Sequence, residues 1–258
     1  MGQRINKAVF FIFSVIIIFF LAFPVVKLFY NNGIIKIINT VSEKEVFESI
    51  ILTFKVSFYA TVCVFVTGIP LAYLIARYDF FGKSIIEGII DIPTMIPHTA
   101  AGIALLVAFN SGFFAKVFDF LKIQLIDSTI GIMFGMMFLS AAYLINGAKE
   151  GFKKVNIKYE YVARTLGASW FSAFVRVVLP NARRDIVNGM LMMWARGLGE
   201  FGAVVIIAYH PMIAPVLIYD RFNNFGLKYS APVAAAMIMF SLIIFVIVRF
   251  LNNRDSLR

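Results

Sequence analysis

Apolar residues dominate six blocks of this chain, residues 8–29, 50–76, 85–109, 129–148, 186–208 and 232–250, and polar residues gather between them. At about 1.5 Å of rise per residue, each block is long enough as a helix to cross the roughly 30 Å hydrocarbon core of a bilayer. The pattern therefore predicts six membrane-spanning helices joined by short segments at 30–49, 110–128 and 209–231 on one side and around 77–84 and 149–185 on the other. The first block exceeds a signal-peptide core and no small-x-small cleavage site follows it, so it reads as an uncleaved span. Within the third block, Pro93 and Pro97 stand four apart beside His98. Proline removes a backbone donor and bends a helix, which makes this a kinked span and a candidate gate element.

Composition agrees with the pattern. The chain is 61% hydrophobic with 29 Phe among 258 residues, and its mean hydropathy is +0.87. A soluble domain of this size has no use for so much apolar surface. The single cysteine, Cys63, lies inside an apolar block and excludes an intrachain disulfide or a cysteine cluster. Its reading is a small buried hydrophobe.

The net charge of +10 is distributed unevenly. With the amino terminus in the cytoplasm, the inside segments hold 15 lysines and arginines, among them Arg4, Lys7, Arg77, Lys83, Arg249, Arg254 and Arg258. Eight of these 15 lie between Lys149 and Arg184, whereas the outside segments hold only 7. Positive charge stays on the cytoplasmic side, so both termini are expected there, and the basic balance needs anionic lipid and no nucleic acid.

Catalytic chemistry is sparse. The nearest approach to a phosphate-binding loop is Gly82-Lys83-Ser84, but Arg77 occupies the first glycine position; Ser84 with Glu87 reads better as a capping box. The two histidines, His98 and His210, lie on different segments, so no metal-ligand cluster is expected. No catalytic residue or resident cofactor is assigned, and a transporter or channel subunit is favoured over a membrane enzyme.

The most patterned polar segment is Tyr161-Val162-Ala163, three residues, Gly167, nine residues, Val177-Val178-Leu179-Pro180. Asn156 is placed to cap a helix whose apolar stripe is Ile157, Tyr161, Val162 and Leu166. Gly167 suits a left-handed helix end, Ser169 caps a second helix, and Pro180 ends the unit before the fifth span. The second helix carries Trp170, Phe171, Phe174, Val175, Val178 and Leu179 on one side. Two readings stay open: a firm knob for a cytoplasmic partner, or an amphipathic loop on the lipid surface.

That spacing resembles the EAA…Gly…Leu-Pro signature of the membrane subunits of binding-protein-dependent ABC importers. The stretches 163–169, Trp194-Ala195-Arg196-Gly197-Leu198-Gly199-Glu200-Phe201-Gly202-Ala203 and 92–102 are similar to the oxyanion branch. Ala208-Tyr209-His210-Pro211-Met212-Ile213-Ala214-Pro215 points to molybdate/tungstate permeases over sulfate permeases. The likeness covers about residues 50–250, with one departure: Tyr161 holds the glutamate position and Glu160 stands just before it.

The resemblance implies an all-α, type-1 importer fold in which residues 1–49 precede a core domain at 50–251. It implies a homodimer, two separate ATP-binding subunits and an external oxyanion-binding protein. The elbow at about 156–180 would be a coupling element between spans four and five, with Glu160, Tyr161, Ala163, Gly167, Trp170, Phe171, Phe174, Leu179 and Pro180 as its residues. The three aromatics pack either between the ATPase and the membrane helices or on the chain's own spans.

Pathway candidates come from charges in apolar blocks. Arg196 falls near the middle of the fifth block, where an isolated charge costs several kcal/mol. Glu200 follows four residues later, so the pair either neutralises itself or leaves Arg196 facing an axial path for an anion. Pro93, Pro97 and His98 complete the set. An ion-coupled carrier is the alternative class, but no inverted repeat supports it.

Overall fold

The computed structural model describes the backbone of residues 2–254 and the side chains of residue 7 and residues 9–247. The orientation charges Arg4, Arg249, Arg254 and Arg258 fall outside the described side chains. Among the described residues every regular element is a helix.

Helix α1 (Gly2–Val41) is interrupted at Gly33, whose φ of 65° belongs to no right-handed helix. It therefore continues well into the segment expected as a loop at 30–49. The most apolar 18-residue stretch within Val9–Val41 has a mean hydropathy of 3.0 and buries nothing inside the chain. A stretch apolar on every side and covered on none is suited to lipid. Helix α2 (Lys44–Arg77) is amphipathic within the fold, burying one face from Val46 to Ile75.

The third apolar block breaks. Helices α3 (Lys83–Met95) and α4 (His98–Phe109) meet at 117° across Ile96 and Pro97. This is far sharper than the kink expected from a proline: Pro97 disfavours helical geometry at Ile96, which is extended (ψ 150°). The cap position of α3 is Gly82, at φ 86°, two residues ahead of Ser84, the cap expected from the capping box. Glu87 pairs instead with Lys149, at 3.1 Å.

After the short α5 (Gly112–Phe120), helix α6 (Thr129–Lys154) starts at Ser128, whose hydroxyl accepts the Gly131 amide. Then come α7 (Lys158–Thr165), α8 (Trp170–Ala173) and a wide π-type turn at Phe174–Val178 that runs straight into α9 (Leu179–Leu198). Pro180 consequently does not end the elbow. The Leu179 amide reaches back five residues to the Phe174 carbonyl, so a proline one residue on forfeits a bond that the wide turn has already displaced.

The fifth block also differs from a continuous span. Helix α9 ends at Leu198, and a non-helical segment precedes the single turn α10 (Val204–Ile207). Arg196 sits in the last turn of a helix and not at the middle of an uninterrupted one. Helices α11 (Ala214–Phe225) and α12 (Leu227–Arg254) complete the chain.

Among the described residues, four helices are long and apolar enough to cross a membrane: Val9–Val41, Lys44–Arg77, Thr129–Lys154 and Leu227–Ile247. The main core packs α2, α6 and α9 around Met136, Leu144, Phe152 and Met193. A second core joins α1, α11 and α12 to the start of α2 through Ile37, Ile50, Leu217 and Val233. Hydrogen bonds stitch the two. Thr53 Oγ1 accepts the Ala214 amide at 2.8 Å, and Ser57 Oγ donates to the Trp194 carbonyl at 2.8 Å. Helices α6 and α9 approach closely at Gly147 and Gly189, where an added Cβ on Gly147 would lie 3.0 Å from Gly189 Cα.

Candidate functional site

Two clusters hold most of the site residues picked from the sequence. The first is the elbow. Asn156 Oδ1 accepts the Lys158 amide at 3.0 Å and opens α7, and Ser169 Oγ accepts the Ser172 amide at 3.2 Å and opens α8. Between them Gly167 adopts φ 92°, a conformation that a side chain opposes and glycine does not.

The elbow has an inner and an outer face. Glu160 points inward and is only 8% exposed. Its carboxylate accepts a hydrogen bond from the Tyr73 hydroxyl at 2.6 Å and lies 2.6 Å from Arg77 Nε, both on the last turns of α2. Tyr161, beside it in sequence, points outward with Ile157, Val162 and Leu166, all exposed, and Leu166 is 83% accessible. Ala163, half-buried, lies between the two faces. The stripe expected from sequence thus forms, but it is turned away from the chain's own spans and left uncovered.

The aromatics divide as well. Trp170 and Phe174 stack with ring centroids 6.1 Å apart, and Phe174 meets Tyr73 at 4.9 Å and Phe152 at 6.0 Å. These two rings pack on the ends of α2 and α6. Phe171 is 65% exposed on the outer side. Val178 is buried and Leu179 packs against the main core.

The second cluster sits where two breaks meet. Arg196 Nη1 donates to Glu200 Oε2 at 3.1 Å, and Arg196 Nη2 lies 2.6 Å from His98 Nε2. His98 Nδ1 is 3.0 Å from the same Glu200 oxygen. The same Arg196 nitrogen is also 3.0 Å from His98 Nδ1, and because a guanidinium only donates, the contact calls on a ring nitrogen that offers its lone pair. The other carboxylate oxygen accepts the Ala203 amide at 3.0 Å at the start of α10. Glu200 is 1% exposed, whereas Arg196 and His98 keep 26% and 37% of their side chains accessible. A buried carboxylate thus holds a cation and an imidazole that still reach open space.

Pro93, buried within α3, and Pro97, just before His98, flank the break that delivers the histidine. Sequence reading missed Tyr73 and Arg77, which anchor the elbow. Arg77 carried a signal, a cation closing an apolar block, but it was absorbed into the orientation count. Asp91 of α3 accepts from Asn146 of α6 at 2.8 Å.

Comparison with known proteins gives concordant findings. Residues 68–255 match the model of the family described as binding-protein-dependent transport system inner membrane component. The molybdate/tungstate transport system permease protein WtpB of Thermococcus kodakarensis is 39% identical over 242 residues, covering 93% of each chain. The sulfate transport system permease protein CysT of Synechococcus elongatus is 29% identical over 210 residues, 80% of this chain and 76% of that one. Among solved structures, a bacterial ABC transporter involved in import of the acidic polysaccharide alginate superposes with a TM-score of 0.74 at 17% identity, covering 98% of this chain and 96% of that one. The alginate transporter in complex with an alginate pentasaccharide-bound periplasmic protein gives 0.72 at 18% identity, covering 98% and 95%. These two likenesses show a common fold.

Proposed function

The chain belongs to the family of binding-protein-dependent transport system inner membrane components, and we propose that it forms the membrane pathway of an ATP-driven importer for molybdate or tungstate. The observation that carries the substrate class is the 39% identity with a molybdate/tungstate permease along 93% of both chains. The sulfate permease is more distant, at 29% over a shorter stretch.

In this reading the chain crosses the membrane six times, with the broken α3–α4 pair and the α9–α10 segment adding two interrupted spans to the four continuous ones. Both termini and the elbow lie in the cytoplasm, in keeping with the excess of lysine and arginine there. Two copies enclose the path. Separate ATP-binding subunits dock on the elbow, and a binding protein delivers the oxyanion from outside. The chain itself hydrolyses no nucleotide.

The mechanism follows from the two clusters. An ATPase gripping the exposed face of Tyr161, Val162, Leu166 and Phe171 would transmit its closure through Gly167 and the continuous α8–α9 helix. Force applied at Trp170 then reaches Arg196 along one rigid rod. There the rod ends, and its cation is held by Glu200 and by His98 from the other broken span. A shift of α9 against α4 would loosen those contacts and free a guanidinium for a passing anion, which it recognises through paired donors.

The test is an ATPase assay of the complete complex in liposomes, with the binding protein supplied with tungstate, molybdate, sulfate or phosphate in parallel. Tungstate and molybdate are expected to raise hydrolysis well above the other two. Oxyanion uptake by the chain alone would sink the importer reading, and equal stimulation by sulfate would sink the substrate assignment.

A further inference from the structure

Beneath the elbow, outside the proposed transport path, lies a cavity of about 210 Å³ lined by Tyr73, Arg77, Glu160, Arg164 and Trp170, among others. A water in the liquid takes up about 30 Å³, so this space suits several waters or one small anion. Its chemistry is unbalanced. The Arg77 side chain is only 7% exposed, and its Nη2 is buried without a hydrogen-bond partner. Buried donors of this kind are otherwise almost always satisfied. Arg77 Nε lies 2.6 Å from Glu160 Oε1, but neither of these two atoms nor Nη2 makes a hydrogen bond, so the ion pair leaves the guanidinium unsatisfied. Arg164, from the last turn of α7, lines the same cavity and makes no ion pair among the described residues. Two guanidinium groups therefore face one carboxylate already engaged by Tyr73 and Arg77.

We propose that this cavity binds one small inorganic oxyanion, held between Arg77 Nη2 and the Arg164 guanidinium. A guanidinium presents parallel N–H donors matched to two oxygens of a tetrahedral anion, and a spherical halide cannot use that geometry. The cavity lies between the chain's own α2, α7 and α8, which fits a free anion better than a side chain of a docked protein. The anion would bridge the end of α2 to the elbow. Its access from the cytoplasm rests on the orientation proposed above; the site itself does not.

Equilibrium dialysis of the purified detergent-solubilised chain with radiolabelled phosphate, sulfate or molybdate tests this directly. The expected result is saturable binding of one anion per chain, not displaced by excess chloride. Arg164→Gln should weaken it at least about tenfold, since a charge-assisted bond of this class is lost. The double variant Arg196→Ala/Glu200→Gln, which removes the transport-path cation without stranding a buried carboxylate, should still bind this anion, which separates this site from the transport path and from the importer reading. Trp170 supplies a local signal, so a chain with Trp194→Phe should change its fluorescence along the same binding curve. Arg164 is exposed, so its variant is expected to fold, and Arg77→Lys provides a second test by keeping the charge and removing the fork. Absence of saturable binding overturns the proposal, as does binding that survives Arg164→Gln undiminished or that vanishes in the Arg196→Ala/Glu200→Gln double variant. Preference among the three anions tells whether the transported oxyanion or cellular phosphate is the better ligand.

Discussion

Arg196 Nη2 lies 2.6 Å from His98 Nε2, although 98 residues separate the two in sequence. The contact exists because both apolar blocks break: α4 begins at His98 and α9 ends two residues beyond Arg196. Each break places a polar side chain at a helix end, and Glu200 ties the two ends together.

Replacing Arg196 should therefore have two separable effects. Arg196→Ala leaves Glu200 buried with its cation gone, a change that costs several kcal/mol when one partner of a buried pair is removed. Adding Glu200→Gln removes the stranded charge. The double variant is expected to recover most of the melting temperature in detergent while uptake stays at least tenfold below that of the native complex. Recovery of uptake together with stability would reduce the arginine to a structural partner.

Glu160 and Tyr161 are adjacent but face opposite ways, so their variants should fail differently. Glu160→Ala strands the Arg77 guanidinium and is expected to lower stability by about 3 kcal/mol, read as a fall in melting temperature. Tyr161→Ala changes an exposed side chain and should alter stability by less than about 0.5 kcal/mol. Its effect should appear in the complex, as reduced ATPase stimulation by the loaded binding protein.

Gly167 stands at φ 92°, and a Cβ built there meets nothing within 4 Å. Any cost of Gly167→Ala is then backbone strain alone, about 1–2 kcal/mol. Gly167→Asn should cost less, since asparagine tolerates left-handed geometry. Comparing the two by thermal melts and by ATPase coupling checks whether the turn itself sets the elbow.

Gly189 is a packing position of a different kind. A Cβ there would sit 3.2 Å from the Leu144 carbonyl oxygen and 3.3 Å from Leu144 Cα, both backbone atoms unable to swing aside. Gly189→Leu is expected to force α6 and α9 apart, destabilising the chain by 1–3 kcal/mol or more. The measurement is detergent-solubilised yield and melting temperature against a Gly88→Leu control, where the space is open.

Tyr209, in the segment between α10 and α11, donates to Asp220 at 2.6 Å, and this bond to a carboxylate pushes its phenol up to about 12. A raised value means that the tie is intact below the ordinary tyrosine range near 10 and is lost as pH climbs through about 12. The phenolate difference spectrum between the native chain and Tyr209→Phe should therefore develop late, and Asp220→Asn should bring it back toward 10.

Local features of the elbow could be read directly. Asn156, Gly167 and Ser169 act through their own backbone or that of the next few residues, so their types at that spacing already specify cap, turn and cap. The direction of Glu160 could not be read in this way. Its partners Tyr73 and Arg77 precede it by more than eighty residues, on a helix whose neighbour is chosen by packing. Pro180 shows the same limit: proline marks a helix start as readily as a stop, and only the wide turn before it shows which applies here.

The sequence by itself determined that the chain is helical and lipid-embedded, where its elbow lies and which family it resembles, because burial of apolar length and local backbone preference act within a few turns of chain. Only the tertiary structure decided where the third and fifth blocks break, that His98, Arg196 and Glu200 meet, and which elbow residues face inward. Hydropathy sums over a block and is blind to a few residues of altered φ and ψ, whereas a buried charge takes its partner from whichever helices pack beside it.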